Sequence, residues 1–579
     1  MFKLARYLRQ FKKEVIFGQI FKLTEAVFEL IVPLVMAKII DVGIKNKDVT
    51  YIFKMGGLMI LLGIIGCSVA LAGQYLASKA SQGIGTTIRS DIFKHINLLS
   101  HADIDKIGTP SLITRITNDV NQIQVAVAMF IRIAGRAPFL IIGATVMAIS
   151  LDLKLSLIFL IIIPLVSFTL YMIMGKSIPF YHLIQKKLDK ISLITRENLE
   201  GVRVIRAFSK QESEKNRFEE ASDDLMKTSI NVGKISALLN PLTYIIMNFA
   251  IIAIIWFGGI QVESGILTQG QIIAFVNYMT QISLALVAVA NLVVIFTKAS
   301  ACDARIYEIF ETKPSIIEPS EEKNVVENID NPKIEFKNVF FSYHKNNEYA
   351  LTDVSIKIFA GETVGVIGGT GSGKSTLVNL IPRFYDIDKG EILVDGINVK
   401  DYKFKTLRMK IGIVPQHAVL FSGTITENMR WGCENAVISQ IEKAIKIAQA
   451  DEFIQKLQDG YDTKILQGGR NLSGGQKQRL TIARALVPNP QILILDDSAS
   501  ALDFATDAAL RKAIKQNTEN MTVLMISQRA NTIKYADKII VLDDGEVAGI
   551  GTHDELFQTC EVYREICLSQ LSTDEKDNA

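Results

Sequence analysis

Residues Thr363 to Ser375 read TVGVIGGTGSGKS, an apolar run that leads straight into Gly368, Gly369, Thr370, Gly371, Ser372, Gly373, Lys374 and Ser375. That octet is a complete G-x-x-x-x-G-K-S, and the stretch after it, from about Thr376, has helical spacing. Strand, glycine loop and helix in that order form a phosphate cradle. The glycines let backbone N–H groups turn inward, and the helix amino end adds favourable polarity for an anion. In such a cradle Lys374 reaches the β- and γ-phosphates of ATP, and Ser375 ligates Mg²⁺. A second apolar strand, Gln491 to Leu495, ends in Asp496 and Asp497. An acid at that strand end is suited to hold Mg²⁺ through water.

Working outward, short β-rich runs (Thr363 to Ile367, Ile411 to Val414, Ile492 to Leu495) alternate with amphipathic helical stretches from Ile334 onward, which predicts an α/β domain over 334–579. Residues 311–333 are acidic and proline-containing without apolar periodicity, and read as a linker. Upstream the text changes. The chain has 579 residues, 49% of them hydrophobic, and the excess is concentrated before about residue 300. A spanning helix needs about 20 apolar residues to cross a hydrocarbon layer of about 30 Å. Six segments qualify: Val15 to Ile40, Ile52 to Leu76, Val125 to Ile149, Leu155 to Met174, Leu238 to Phe257 and Ile272 to Phe296. The expected architecture is a six-span α-helical transmembrane bundle over 1–310 fused to an α/β nucleotide-binding domain. A soluble ATPase would need an enormous core to hide these segments.

The long intervals after spans two and four carry Lys79, Arg89, Lys94 and Arg115, then Lys186, Lys187, Arg203, Arg206, Lys210, Lys215 and Arg217. Positive charge favours the cytoplasmic side, so both intervals, both termini and the nucleotide-binding domain are expected there, in a multi-pass protein of the cell membrane. The intervals keep helical spacing, which predicts spans that continue beyond the bilayer and turn back near His101 to Pro110 and Ala207 to Glu214. Met1 to Lys13 intersperses apolar and basic residues in a pattern suited to a helix at the membrane surface. No small-residue cleavage site follows it, so no signal peptide is expected.

Within the spans stand Lys22, Glu25 and Glu29, then Arg132 and Arg136, then Asn248, Asn277 and Gln281. Buried charge in a membrane requires a partner or a watery cavity; Lys22 can pair with Glu25 three residues on. Phe275, Tyr278 and Met279 are aromatic or soft groups that could meet an amphipathic compound, although such spacing is more often packing. A net charge of +3 without a basic block excludes a nucleic-acid partner as the main expectation. Cys67, Cys302, Cys433, Cys560 and Cys567 lack metal or disulfide spacing and read as reduced thiols.

Between the two phosphate-site elements stands Leu472-Ser473-Gly474-Gly475-Gln476. A phosphate loop, LSGGQ and an aspartate-ended strand in this order resemble the ATPase domain of ABC transporters. With the six spans upstream, the whole chain resembles an ABC exporter half-transporter. The resemblance implies further roles. Tyr343 in NVFFSY corresponds to the aromatic that stacks on adenine, and Gln416 in IVPQ to the glutamine that senses Mg²⁺ and the γ-phosphate. Asp503 in SALD corresponds to the aspartate at the dimer seam, and Gly551 to Leu556 (GTHDEL) to a closing phrase of the family. In the family two ATPase domains meet head to tail, so Ser473, Gly474, Gly475 and Gln476 are implied to cover nucleotide on a partner's phosphate loop. The two turns correspond to its coupling helices.

Two departures bear on mechanism. Where the family has a catalytic glutamate after the strand aspartate, this chain has Asp497. Where it has a switch histidine, this chain reads Ile526-Ser527-Gln528-Arg529. Shortening by one methylene moves a carboxylate back by roughly 1.5 Å, and a misplacement of about 1 Å can cost about a hundredfold in rate. Gln528 can hydrogen-bond to phosphate but cannot become cationic. Gln467, five before Leu472, also replaces a glutamate frequent in the family. The LSGGQ itself is intact. The combination resembles the degenerate-site subunit of bacterial heterodimeric multidrug exporters: slow hydrolysis on its own loop, and a sound signature lent to a second half-transporter, with a hydrophobic or amphipathic compound as cargo. Export of a lipid or peptide, an ATP-gated regulatory membrane protein and a homodimer stay open as alternatives.

Overall fold

Long apolar runs without breakers become long helices because every backbone N–H and C=O must be satisfied within the segment once water is excluded. The computed structural model describes residues 5–323, 331–343, 348–498, 500–518 and 520–570. Residues 1–4 of the predicted surface helix, 324–330 of the predicted linker and the last nine residues of the predicted α/β domain lie outside that set. The described chain divides into two compact units, one of Met1–Asn97 with Gly108–Thr312, the other of Leu98–Ile107 with Lys313–Ala579.

In the first unit, five helical stretches are long and apolar enough to cross a membrane: Val49–Ile96, Thr109–Leu151, Leu153–Glu200, Gln211–Glu263 and Gln269–Glu311. The first predicted span is also a helix of spanning length, Lys12–Lys38, with 27 residues. Lys22, Glu25 and Glu29 fall in every stretch long enough to cross and lower its apolarity, which is why only five qualify by composition. Two helices reach 48 residues, about 70 Å, more than twice the hydrocarbon thickness. The spans therefore do continue well past the bilayer.

The third span departs from a regular α-helix. It is assembled from Val120–Met129, a π-helical turn at Phe130–Ala134 and Arg136–Leu151. The amino-terminal segment Ala5–Phe11 is a 3₁₀ helix, not an α-helix on a lipid surface. Its Tyr7 is buried and donates to Asp91 Oδ2 at 2.8 Å on the Val49–Ile96 helix. The core of this unit is built from small and branched residues such as Ala26, Leu30, Ala144, Phe159, Ile254 and Ile282. Phe53, Leu160, Ile161 and Trp256 face outward. That inversion suits helices solvated by lipid. Phe275, Tyr278 and Met279 are fully buried within the helix packing, and the Tyr278 hydroxyl donates to Leu30 O at 2.8 Å. They serve the core and present no surface to a cargo.

The second unit holds a six-stranded sheet. Its order is Glu546–Gly551, Lys538–Asp543, Thr363–Gly368, Thr522–Ile526, Ile492–Asp496, Ile411–Val414, parallel except for the first pair. Alternate residues of one strand serve different cores: Val364, Val366, Ile492 and Ile494 join one buried cluster, while Ile367, Leu493 and Leu495 join the other. A sheet with period-two side chains and apolar cover on both faces requires this division. A smaller antiparallel sheet pairs Leu351–Ile358, Ile334–Phe341, Lys389–Val394 and Ile397–Asn398. The five cysteines are all free thiols.

Candidate functional site

The phosphate loop leaves the strand Thr363–Gly368 at its carboxyl end and enters the helix Lys374–Leu380. Neighbouring strands end beside it, because parallel pairing aligns Ile526 with Val366 and Asp496 with Ile526. Ligands bind outside the carboxyl ends of such sheets. Glycine is required at particular points of the loop. Gly371 and Gly373 have φ of 88° and 91°, and a Cβ on Gly368 would collide with Leu542 O and the Ser372 hydroxyl.

A cavity of about 410 Å³ opens here, lined among others by Tyr343, Thr370, Lys374, Ser375, Gln416 and Asp496. Gly371, Gly373, Thr376, Asp497 and Gln528 complete the predicted residues on its wall. Lys374 Nζ lies 2.9 Å from Gly368 O, 2.5 Å from Gly369 O and 3.3 Å from the Ser372 hydroxyl. Ser375 Oγ donates to Asp496 Oδ1 at 3.2 Å, and the Tyr343 hydroxyl lies 3.0 Å from Thr376 Oγ1. Burial pushes Lys374 below the usual lysine range against the pull of Asp496 and Asp497, and it pushes Asp496 above the usual carboxylate range. A buried cation and a buried acid, each disfavoured in its charged form, fit a site completed by a polyphosphate and a divalent cation. The oxygen-only set of Ser375 and Asp496 fits a hard ion such as Mg²⁺.

Asp497 lies on the same wall, with its N–H donating to Ile526 O at 3.0 Å and a φ of 46°. Gln528 follows the neighbouring strand Thr522–Ile526 and lines the same cavity. One partner was not legible beforehand. Gln570, in the helix Glu561–Gln570, donates through Nε2 to Gln528 O at 2.7 Å and accepts from the Ala530 N–H at 2.9 Å. Those 42 residues of separation along the chain leave no local spacing signal by which to find it.

Ser473, Gly474, Gly475, Gln476 and Asp503 do not line this cavity. Ser473 caps the helix Gly474–Leu486 in a reciprocal box with Gln476, and Asp503 caps Phe504–Asn517 by accepting from Thr506 N–H at 2.9 Å. The signature thus presents a helix amino end, with its first N–H groups unpaired within the helix, outside the wall of its own chain's cavity.

Two family models match the chain, one in each part. Residues 15–286 match the ABC transporter transmembrane region, and residues 351–500 match the ABC transporter ATP-binding model described as ABC transporter. The uncharacterised ABC transporter ATP-binding protein YfiB of Bacillus subtilis (strain 168) is 38% identical over 571 residues, covering 99% of each chain. This chain belongs to the ABC transporter family. It is an exporter half-transporter, with a membrane region and an ATP-binding domain in one polypeptide, and its ATPase domain is of the hydrolysing kind. The putative multidrug export ATP-binding/permease protein YgaD of the same bacterium is 31% identical over 98% of each chain. The ATP-dependent lipid A-core flippase of Hahella chejuensis is 31% identical over 89% of this chain and 88% of its own. A bacterial Atm1-family ABC exporter with ATP bound superposes with a TM-score of 0.79 over 97% of this chain and 98% of its own, at 23% identity. The fold is that exporter fold.

Proposed function

We propose that this half-transporter is the degenerate-site subunit of a heterodimeric exporter for hydrophobic or amphipathic compounds. The carrying observation is the pairing of Asp497 and Gln528 on the wall of a cavity whose binding elements, Lys374, Ser375, Asp496 and Gln416, are all present. ATP is held but its cleavage lacks a well-placed base and a cationic switch. Losing a positioned base costs about 10²- to 10⁴-fold. The intact Ser473 signature, which does not line its own chain's cavity, covers nucleotide on the partner, where hydrolysis proceeds.

In this reading Tyr343 stacks on adenine, the backbone N–H groups of Gly369 to Gly373 and Lys374 hold the phosphates, and Ser375, Asp496 and Gln416 face the metal. Bound Mg²⁺ supplies charge neutralisation of the phosphate oxygens. ATP draws two nucleotide-binding units together because it binds the closed pair more tightly than the open one, and differential affinity is the only lever available. The turn Ala207 to Glu214 offers Phe208, 71% exposed, as a contact for the partner subunit. The short helix His101–Ile107, whose Asp105 accepts from the Tyr385 hydroxyl at 3.1 Å, belongs to this chain's own nucleotide-binding unit. The functional division is 1–310, 311–333 and 334–579, with both termini and the ATPase on the cytoplasmic side of the cell membrane.

The likeness to a lipid flippase favours lipid as the second cargo class. Purification of the tagged chain in mild detergent tests the proposal: a second half-transporter should accompany it, and the chain alone should show little ATPase activity. Brisk hydrolysis by a homodimer would overturn it.

A further inference from the structure

The membrane unit encloses a polar node built from three elements. On the helix Lys12–Lys38, Lys22 Nζ pairs with Glu25 Oε2 at 2.6 Å. Arg136, at the start of Arg136–Leu151, reaches Glu29 Oε1 at 2.5 Å and Glu25 Oε1 at 3.6 Å. Gln281, on Gln269–Glu311, donates to Glu29 O at 3.1 Å, while its Oε1 is buried without a partner. Two acids are thereby taken by two cations.

Arg132 is the third cation. It lies in the π-helical turn Phe130–Ala134, one of whose carbonyls, Phe130 O, accepts from Gln19 Nε2 at 3.3 Å. Among the described residues Arg132 has no acid partner; it donates only to the Ser78 hydroxyl, at 3.2 Å, and its Nε is buried and unpartnered. Three cations, Lys22, Arg132 and Arg136, thus stand against two acids, Glu25 and Glu29, and among apolar helices a charge without a counter-ion is costly.

We propose that Arg132 binds the anionic head group, a phosphate or carboxylate, of an amphiphile whose apolar tail lies among the spanning helices. The fork geometry of arginine suits either oxyanion, and only a ligand with an apolar body partitions to that depth. This rests on the reading of the chain as an exporter of amphipathic compounds and narrows its cargo to anions.

The test uses the full chain, with whatever subunit accompanies it, in phosphatidylcholine nanodiscs without nucleotide. Binding of a fluorescent lysophosphatidate is compared with a monoacylglycerol of the same tail. The anion is expected to bind at least about tenfold more tightly. Arg132→Gln should erase that preference, Arg132→Lys should weaken it, and Ser78→Ala, which leaves the charge in place, should retain it. Inorganic phosphate in large excess should not displace the amphiphile. Equal binding of the two probes, an unchanged preference in Arg132→Gln, or displacement by phosphate alone would each overturn the proposal. ATPase activity measured on the same nanodiscs reports separately on the nucleotide site, so the two readings can fail independently.

Discussion

Asp497 sits with φ at 46°, in the left-handed region that aspartate tolerates better than most side chains. Its carboxylate is one methylene short of the family's usual base. Asp497→Glu restores reach while carrying a backbone cost of about 1–2 kcal/mol at this conformation. The variant is expected to raise hydrolysis at this chain's own phosphate loop by about a hundredfold, read from trapped diphosphate; no increase would remove base position as the cause of slow cleavage. Lys374→Ala should weaken ATP binding by about 10- to 100-fold in an equilibrium nucleotide-binding assay, since it deletes a charge-assisted contact. Asp496 must be ionised to hold Mg²⁺, and burial raises its pKa. The sign follows directly: Mg²⁺-dependent ATP affinity is full above the raised pKa and falls as pH drops through it. The loss therefore sets in at a higher pH than for an ordinary aspartate, which a pH series of ATP binding with and without Mg²⁺ will show.

At the scale of elements, the helix Glu561–Gln570 holds the backbone on both sides of Arg529 through one amide. Gln570→Ala should leave folding within about 0.5 kcal/mol, because the residue is exposed, yet speed nucleotide release about fivefold or more by freeing the Gln528 segment. Asn at the same place should restore part of the effect; unchanged release in Gln570→Ala would reduce the contact to decoration. In the membrane unit Asp41 Oδ1 accepts from the Gly270 N–H at 2.8 Å, and a Cβ on Gly270 would strike Ala37 O and Asp41. Gly270→Ala should lower the melting temperature in nanodiscs. The contrast between these contacts and the phosphate loop explains what was legible in the sequence. Gly368 to Ser375 and the strand end at Asp496 are encoded by adjacent residues and turn chemistry. The Lys22–Glu25 pair follows from helical spacing. The π-turn at Phe130–Ala134, the Arg136–Glu29 pair and the Gln570 clamp depend on which distant elements meet, and no local period records that. Likewise Tyr7, within the predicted surface helix, donates to Asp91, a partner 84 residues away that no local spacing records.

For the whole molecule, the proposed reading joins a cavity equipped to grip ATP with a signature that lies outside its wall, and assigns that signature to a second chain. Under the proposal, hydrolysis on this chain's own phosphate loop is slow and turnover comes from the other half. The most direct measurement is the state of the nucleotide on this polypeptide after one turnover of the purified assembly, using a photo-crosslinkable radiolabelled ATP and recovering label from each subunit. Triphosphate on this chain with diphosphate on its companion is the expected result. Diphosphate recovered equally from both, or from two copies of this chain, would contradict the account.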